Sequence, residues 1–361
     1  MRKKRTWARY LTPGLVFQSV LVGGGYGTGA EIAQYFGRYG LLGGLLGLGA
    51  SAAAWAVLCA VTFEFARVFR TYDYGSMMRA LLGRAAFLYD LCFCAMMLLV
   101  LGVVNATAGA CVRTLTGLPS WVGAALLSAG VVFLVLRGTE TIEKALSLWA
   151  YVLYAVFILF LAAVFLRFGN AAAAELARAE AAPGWLFSGL KYASYNLICV
   201  SMILYTLRDL RTRREAIICG VLAGVLGVAP AVPLLLAMGC GLREALASET
   251  PVAAIFARLD MPWLHLLFQI VLFGTLVETA AGFIKALEDR IERALFHGKS
   301  FELAQPLITG AVAALGICAS TFGLSKLVDK GYGAVCYGAL FLFALPMLTA
   351  GTAKLRRNGG R

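Results

Sequence analysis

Long apolar segments separated by short polar stretches recur along the whole chain. A helix needs roughly 20 apolar residues to cross the hydrocarbon core of a bilayer. Ten segments approach this length, so the pattern predicts an all-α integral membrane protein with about ten transmembrane helices. The predicted spans cover approximately residues 11–36, 40–66, 86–112, 120–136, 142–166, 185–207, 214–239, 262–287, 303–323 and 332–350.

Composition supports one membrane domain rather than two soluble ones. Of the 361 residues, 61% are hydrophobic and only 14% are charged, whereas soluble proteins carry about a quarter charged residues. We therefore expect a single transmembrane domain over residues 1–361, with the lipid bilayer around it. The net charge of +13 would suggest nucleic acid in a soluble protein, but the basic residues stand between apolar segments. We expect no nucleic-acid partner.

The distribution of basic residues predicts the orientation. More than two thirds of the 32 Lys and Arg residues fall in alternate loops, and cytoplasmic loops are enriched in these residues. The pattern predicts a multi-pass protein of the cell (inner) membrane with both termini cytoplasmic. Loops 67–85, 208–214 and 285–300 would be cytoplasmic. Loops 167–184 and 241–261 would be external.

Two of these loops carry structure of their own. The segment 74–84 is amphipathic, and the pattern of the segment 242–260 predicts two short helices broken at Pro251. The second segment is either a lid over an outward vestibule or a plain solvated connector. No P-loop, nucleophile elbow or Cys/His ligand cluster occurs, so we expect no enzyme, no catalytic residue and no cofactor.

The most informative stretch holds five glycines in the seven residues Gly23–Gly29, in the middle of the first span. Each glycine costs a helix interior up to ~1 kcal/mol relative to alanine. A broken membrane helix is tolerated where it lines a cavity or is buried in protein, and its free backbone groups can bind ions and charged solutes. The alternative is close helix packing, which we prefer for the small-xxx-small pairs Gly40/Gly44, Gly43/Gly47 and Gly220/Gly224.

The sixth span contains a polar patch, Lys191–Asn196, near its start. Ser, Tyr and Asn side chains compete with helical backbone hydrogen bonds, so we predict an interruption here. The first and sixth spans occupy corresponding places in two five-helix halves, and paired interruptions indicate a transporter site. The alternative is a polar patch at the membrane interface.

Two acids lie within apolar spans. Glu31 follows the glycines directly, and Glu278 shares a helix face with Thr275, Thr279 and Gly282. A charge at the middle of a bilayer costs about 3 kcal/mol or more, so both acids are expected to face the bundle interior and to be functional. The alternative for Glu278 is an internal ion pair with Lys191 or Lys285.

Several motifs resemble the amino acid–polyamine–organocation superfamily. Gly27-Thr28-Gly29 stands where that superfamily has its Gly-Ser-Gly break, and the end of the second span, Phe63–Phe69, is similar as well. Within this group the whole chain most resembles the YkvI-like membrane proteins. The resemblance implies a LeuT-like fold of 5+5 inverted repeats, about 11–166 and 185–350, with helices 1 and 6 broken.

The resemblance also implies a sodium site at the carbonyls of Gly23 and Tyr26 and the hydroxyl of Thr275. We expect an ion-coupled symporter, driven by Na+ or H+, for a small polar organic solute, an amino acid or related amine. The alternative is a membrane receptor or sensor that keeps the transporter fold. The substrate-binding residues are predicted to be Gly25, Gly27, Thr28, Gly29, Glu31, Asn105, Ser194, Tyr195 and Asn196. The ion-coupling residues are predicted to be Gly23, Tyr26, Thr275, Glu278 and Thr279.

Overall fold

The computed structural model describes residues 4–136, 139–295 and 299–358. His297 and parts of the predicted cytoplasmic loops lie outside the described residues. Within the described ranges all regular structure is helical, as predicted, and no strand occurs. Eighteen α-helices follow one another: α1 Lys4–Leu21, α2 Gly24–Gly27, α3 Ala30–Tyr35, α4 Gly40–Phe69, α5 Tyr74–Leu82, α6 Ala86–Thr116, α7 Ser120–Leu136, α8 Thr139–Arg178, α9 Trp185–Val200, α10 Arg213–Val228, α11 Ala231–Met238, α12 Leu242–Ala247, α13 Pro251–Leu259, α14 Pro262–Leu295, α15 Lys299–Ser320, α16 Leu324–Lys326, α17 Tyr332–Ala339 and α18 Thr352–Asn358.

The helices agree with a membrane location. Seven helical segments in the described part of the chain are long and apolar enough to cross a membrane. A further apolar helix, Ser120–Leu136, is shorter. All ten predicted apolar segments coincide with helical segments, and the count of ten membrane spans stays a prediction. The seven segments are Ala30–Phe69, Tyr74–Thr116, Val152–Arg178, Arg213–Met238, Pro262–Lys285, Leu303–Ser320 and Leu324–Arg357.

Helix α8 is longer than the sequence pattern suggests. We expected the fifth span to end near residue 166, but α8 continues to Arg178. The extension is rich in alanine, a strong helix former, so the helix does not stop where the apolar run ends. Arg167 on this extension donates a hydrogen bond to the carbonyl of Leu259 at the end of α13.

Small residues bring α4 and α10 close together. A Cβ added to Gly224 would lie 2.6 Å from the backbone nitrogen of Ala56, and one added to Gly220 would lie even closer to the backbone nitrogen of Ala60. The packing role predicted for Gly220 and Gly224 is therefore confirmed. Gly40 begins α4 with a φ of +76° that favours glycine, and a Cβ added there would also lie 2.7 Å from the carbonyl oxygen of Glu180.

Both described ends of the chain lie at one end of the bundle. Arg9 on α1 forms an ion pair with Glu215 at the start of α10. Lys354 on α18 donates a hydrogen bond of 2.6 Å to the carbonyl of Ala80 in α5. Helix α5 confirms the amphipathic helix predicted for this loop, and its N-terminus is capped by Asp73. We refer to this end of the bundle as the basic end.

Candidate functional site

The glycine run breaks the first span as predicted. Helix α1 ends at Leu21, a single turn covers Gly24–Gly27, and α3 begins at Ala30. Gly29 has a φ of +80°, a conformation that L side chains rarely adopt. Within the break the Thr28 hydroxyl donates to the carbonyl of Gly25 at 3.1 Å, which replaces part of the missing helical pattern.

The break in the second half lies elsewhere than expected. The patch Lys191–Asn196 is part of the continuous helix α9, so the predicted interruption there is wrong. Helix α9 ends at Val200, and tight turns follow until the short 3-10 helix Leu204–Leu207. The Ser201 hydroxyl is 2.5 Å from the Tyr89 hydroxyl of α6. No Gly or Pro marks this second break, so the local sequence gave no signal for it.

Glu31 turns back onto the glycine break instead of facing solvent. Its side chain is only 5% exposed, and its Oε2 accepts a hydrogen bond of 2.8 Å from the Tyr195 hydroxyl on α9. A Cβ added to Gly25 would lie 2.9 Å from the Glu31 Cγ. The glycine therefore makes room for the carboxylate, and the structure brings together three of the predicted substrate-binding residues.

Tyrosine rings from three parts of the chain pack beside this carboxylate. The Tyr195 ring lies 5.5 Å from that of Tyr35 and 4.7 Å from that of Tyr332, measured between centroids. The Tyr192 ring is 5.5 Å from that of Tyr35. All four side chains are buried. We call Tyr35, Tyr192, Tyr195 and Tyr332 the tyrosine cluster.

The tyrosine cluster and Glu31 are suited to an organic cation. A carboxylate offers the charge, and the faces of aromatic rings attract cations. Tyr26, in the break, adds a buried hydroxyl that has no hydrogen-bond partner among the described residues. A buried polar group without a partner is costly, so this hydroxyl is available to a bound molecule or a water.

A cavity of about 180 Å³ lies beside the end of α1, next to the first break. Three elements supply its polar lining: Ser19 on α1, Tyr154 on α8, and Thr275, Glu278 and Thr279 on α14. The shared face predicted for the α14 residues is therefore confirmed. Met202 from the second break completes the wall, so both breaks reach this region.

Glu278 is half-buried at this cavity without an ionic partner. It has no hydrogen bond or ion pair with any residue in the described part of the chain. Lys285 instead lies 3.6 Å from Glu288, and Lys191 lies beside Gly333 on α17. Neither lysine considered as a partner forms an ion pair with Glu278 in the described part of the chain, and the functional role of Glu278 stays a prediction.

The predicted sodium ligands only partly converge on the cavity. Thr275 lines it, but Val22 lies at the wall rather than Gly23 or Tyr26. The Gly23 carbonyl accepts from the Gly27 amide at 2.8 Å and the Tyr26 carbonyl from the Gly29 amide at 2.9 Å. Oxygen ligands of this kind suit hard cations, and the cavity lining offers four hydroxyls and one carboxylate to a monovalent cation or a proton.

Three predicted substrate-binding residues have local partners instead. Asn105 donates to the Leu101 carbonyl at 2.8 Å and accepts from Ser128 at 3.0 Å, so it joins α6 to α7. The Ser194 hydroxyl donates to the Leu190 carbonyl, and the Asn196 amide donates to the Tyr192 carbonyl at 3.1 Å. Each side chain bonds within its own helix, and none of these bonds reaches Glu31.

A second cavity, of about 140 Å³, lies on the other side of the break. Polar side chains including Gln34, Arg38 and Glu249 line it. Helices α12 and α13 form the two short helices expected on either side of Pro251. The amide of Val252 on α13 donates to the carbonyl of Thr28 at 3.0 Å, so this loop covers the broken helix directly. The contact favours the lid over the plain connector.

Sequence reasoning missed most of the tyrosine cluster. Tyr35 is four residues after Glu31 and therefore on the same helix face, a signal that could have been used. Tyr192 and Tyr195 are three residues apart, which also places them on one helix face. Tyr332 and Tyr154 lie far from Glu31 and Glu278 along the chain, and only the tertiary structure shows that they are neighbours.

One sequence relative covers almost the whole chain. Over 336 residues the chain is 24% identical to the uncharacterized membrane protein YkvI of Bacillus subtilis (strain 168), which covers 91% of this chain and 93% of that protein. No protein-family model matches. The similarity to a YkvI protein is confirmed to this extent.

Solved transporters share the fold at low sequence identity. The manganese transporter of Eremococcus coleocola superposes with a TM-score of 0.64 at 18% identity, over 95% of this chain and 79% of that one. A Na+-coupled sialic acid symporter gives 0.63 at 12% identity, over 94% and 79%. MhsT, in complex with L-phenylalanine, gives 0.54 at 17% identity, over 97% of both chains. These are LeuT-fold transporters, and the chain has their fold.

Proposed function

We propose that the chain is an ion-coupled secondary transporter, a symporter for a small polar organic solute that carries an amino group. An amino acid or a related amine is the substrate class that fits best. The observation that carries this proposal is the buried carboxylate of Glu31, held against a broken helix by Tyr195 and surrounded by aromatic rings.

Glu31 would bind the amino group of the substrate. A buried charge needs a partner, and within the described residues Glu31 has a tyrosine hydroxyl but no basic side chain. An ammonium group would supply the missing charge, and the tyrosine cluster would add cation–π attraction. The backbone of the break around Gly27 and Gly29 would take the carboxylate of an amino acid, as broken helices do in transporters of this kind.

The cavity lined by Glu278 would hold the coupling ion. Glu278, Thr275 and Thr279 offer one carboxylate and two hydroxyls to a cation, and Glu278 alone would suffice for a proton. The first break adjoins this cavity at Val22. An ion bound in this cavity would therefore contact the chain next to the backbone that binds the substrate. This contact would couple ion binding to substrate binding.

The two cavities support alternating access. One adjoins the break from Ser19 to Val22 and the other from Ala30 to Arg38. Glu31 lies within the second of these segments, and its hydrogen bond to Tyr195 joins the broken helix to α9. We infer that this contact is part of a barrier, and that Tyr195 keeps its hydrogen bond to the carboxylate while the amino group of the substrate binds the second carboxylate oxygen.

We extend the proposal to the finer architecture. Breaks in the first span and after Val200 support two inverted five-helix repeats and ten spans, and with them a place in the amino acid–polyamine–organocation superfamily. Both described ends lie at the basic end of the bundle, which supports cytoplasmic termini in the cell membrane.

Uptake by proteoliposomes tests the function. A thermal-shift screen of amino acids and amines, with and without Na+ and at two pH values, first identifies a ligand. Radiolabelled ligand should then accumulate inside liposomes only when a Na+ or proton gradient is imposed. Binding without accumulation under any gradient would refute transport and favour the sensor. Absence of stabilisation by any amine would refute the proposed substrate class.

A further inference from the structure

A groove of about 840 Å³ lies away from both breaks, between α4, α10 and α18. Its volume is within the range of ligand sites in proteins, about 300–1,000 Å³. Most of its lining is apolar. The apolar residues are Ala56, Val57, Ala60, Val61, Ile217, Val221 and Leu355.

The apolar part of the groove faces outward from the bundle. Val57 is 56% exposed, Ile217 40% and Val221 45%. Helix α10 lies against the backbone of α4 at Gly220 and Gly224, so the floor between these side chains is formed by small residues. The result is a channel with valine and isoleucine walls.

All charged residues of the groove lie at its basic end. They are Glu64, Arg67, Arg213 and Arg356. Arg67 donates two hydrogen bonds, of 2.8 and 2.7 Å, to the carboxylate of Glu64. The net charge of this ion pair is zero. Arg213 and Arg356 are exposed and form no ion pair with a described residue. The end of the groove therefore carries an uncompensated positive charge.

The apolar part and the positively charged end of the groove follow one another along its length, as a site for an amphiphilic molecule requires. Val57 and Arg67 are ten residues apart on one helix, which places them about 15 Å apart at a rise of about 1.5 Å per residue. Arg213 begins α10, and Ile217 and Val221 follow it on the same face at intervals of four residues. A ligand that spans the groove must therefore be anionic at one end and apolar along about 15 Å of its length.

We propose that this groove binds one anionic phospholipid, with an acyl chain along Val57, Ile217 and Val221 and the phosphate between Arg213 and Arg356. Basic pockets between transmembrane helices bind anionic lipid headgroups, and arginine matches phosphate oxygens in a bidentate geometry. A free phosphate would use the arginines but would leave the apolar channel without a ligand. The site is separate from the proposed transport pathway.

Native mass spectrometry of the detergent-purified protein tests the site. We expect one phosphatidylglycerol to remain bound under conditions that remove phosphatidylcholine with the same acyl chains. Each arginine should contribute about fivefold in affinity, since a basic residue near anionic lipid contributes about 1 kcal/mol. The double variant Arg213→Gln/Arg356→Gln should therefore bind phosphatidylglycerol about 25-fold more weakly. The matched control Arg178→Gln/Arg243→Gln removes two exposed arginines elsewhere and should bind like the wild type.

A second variant tests the apolar channel separately. Val221→Trp fills the channel and keeps both arginines, so it should also lose the lipid. Equal retention of phosphatidylcholine by the wild type would overturn the proposal, because it would indicate ordinary annular lipid. Equal thermal stabilisation by inorganic phosphate would overturn it in favour of a phosphate site. If the double variant aggregates, the comparison of phosphatidylglycerol with phosphatidylcholine on the wild type still tests the proposal.

Discussion

The sharpest test of the proposed site is the change Glu31→Gln. The variant keeps the size of the side chain, and its amide oxygen can still accept the hydrogen bond of 2.8 Å from Tyr195. It also removes a buried charge instead of leaving one unpaired. The folded state is therefore expected to persist, with a monodisperse elution profile and wild-type expression.

The expected loss in binding follows from the burial of this carboxylate. Truncating one partner of a buried, hydrogen-bonded charge pair costs about 2–5 kcal/mol, which is about 30- to 5,000-fold in Kd. Tyr195→Phe removes one hydrogen bond to a charged group, about 1.5–3 kcal/mol, and should weaken binding about 10- to 150-fold. We therefore expect Glu31→Gln to be the more damaging of the two changes.

The assay compares two ligands on each variant. One is the amine identified by the thermal-shift screen, and the other is its analogue with a hydroxyl in place of the amino group. The wild type should prefer the amine strongly, and Glu31→Gln should bind both about equally. If Glu31→Gln keeps the preference and the affinity of the wild type, Glu31 does not bind the amino group and our interpretation of the tyrosine cluster is wrong.

Other positions give independent tests. Glu278→Gln should leave substrate binding in the absence of the coupling ion within about threefold of the wild type, since Glu278 lies outside the tyrosine cluster. It should abolish accumulation driven by the coupling ion, and gradient-driven uptake at the wild-type rate would assign Glu278 to packing. Gly29→Ala must adopt a φ of +80° at a cost of about 1–2 kcal/mol and meets Met238 at 2.6 Å, so it should lose uptake per folded protein. Gly224→Ala, which meets the backbone of α4, should lower the amount of folded protein while specific activity stays near normal, and the opposite pattern in these two glycines would contradict the proposed site. Cysteine in place of Ala174 should react with an impermeant reagent on intact cells and cysteine in place of Arg84 should not, and reversed labelling would invert the topology.

The sequence by itself determined the class of the protein and the place of one break. Apolar runs near the length of a bilayer span reflect a constraint that acts on each segment separately, so composition and spacing predict the helices well. The dense glycines at Gly23–Gly29 are an equally local signal, because glycine weakens a helix wherever it stands. The acids Glu31 and Glu278 are a local signal as well, because a charged side chain within an apolar membrane segment is energetically costly and indicates a functional site.

Only the tertiary structure decided which groups face these acids. Tyr195 is 164 residues from Glu31, and no periodicity relates two side chains over that distance. The second break at Ser201–Ile203 contains no Gly or Pro, so no local signal marks it, and the contact of the Ser201 hydroxyl with Tyr89 on α6 appears only in the tertiary structure. Polar residues such as Asn105 are equally able to bind a substrate or a neighbouring helix, and the partner is chosen by which helices the fold brings together.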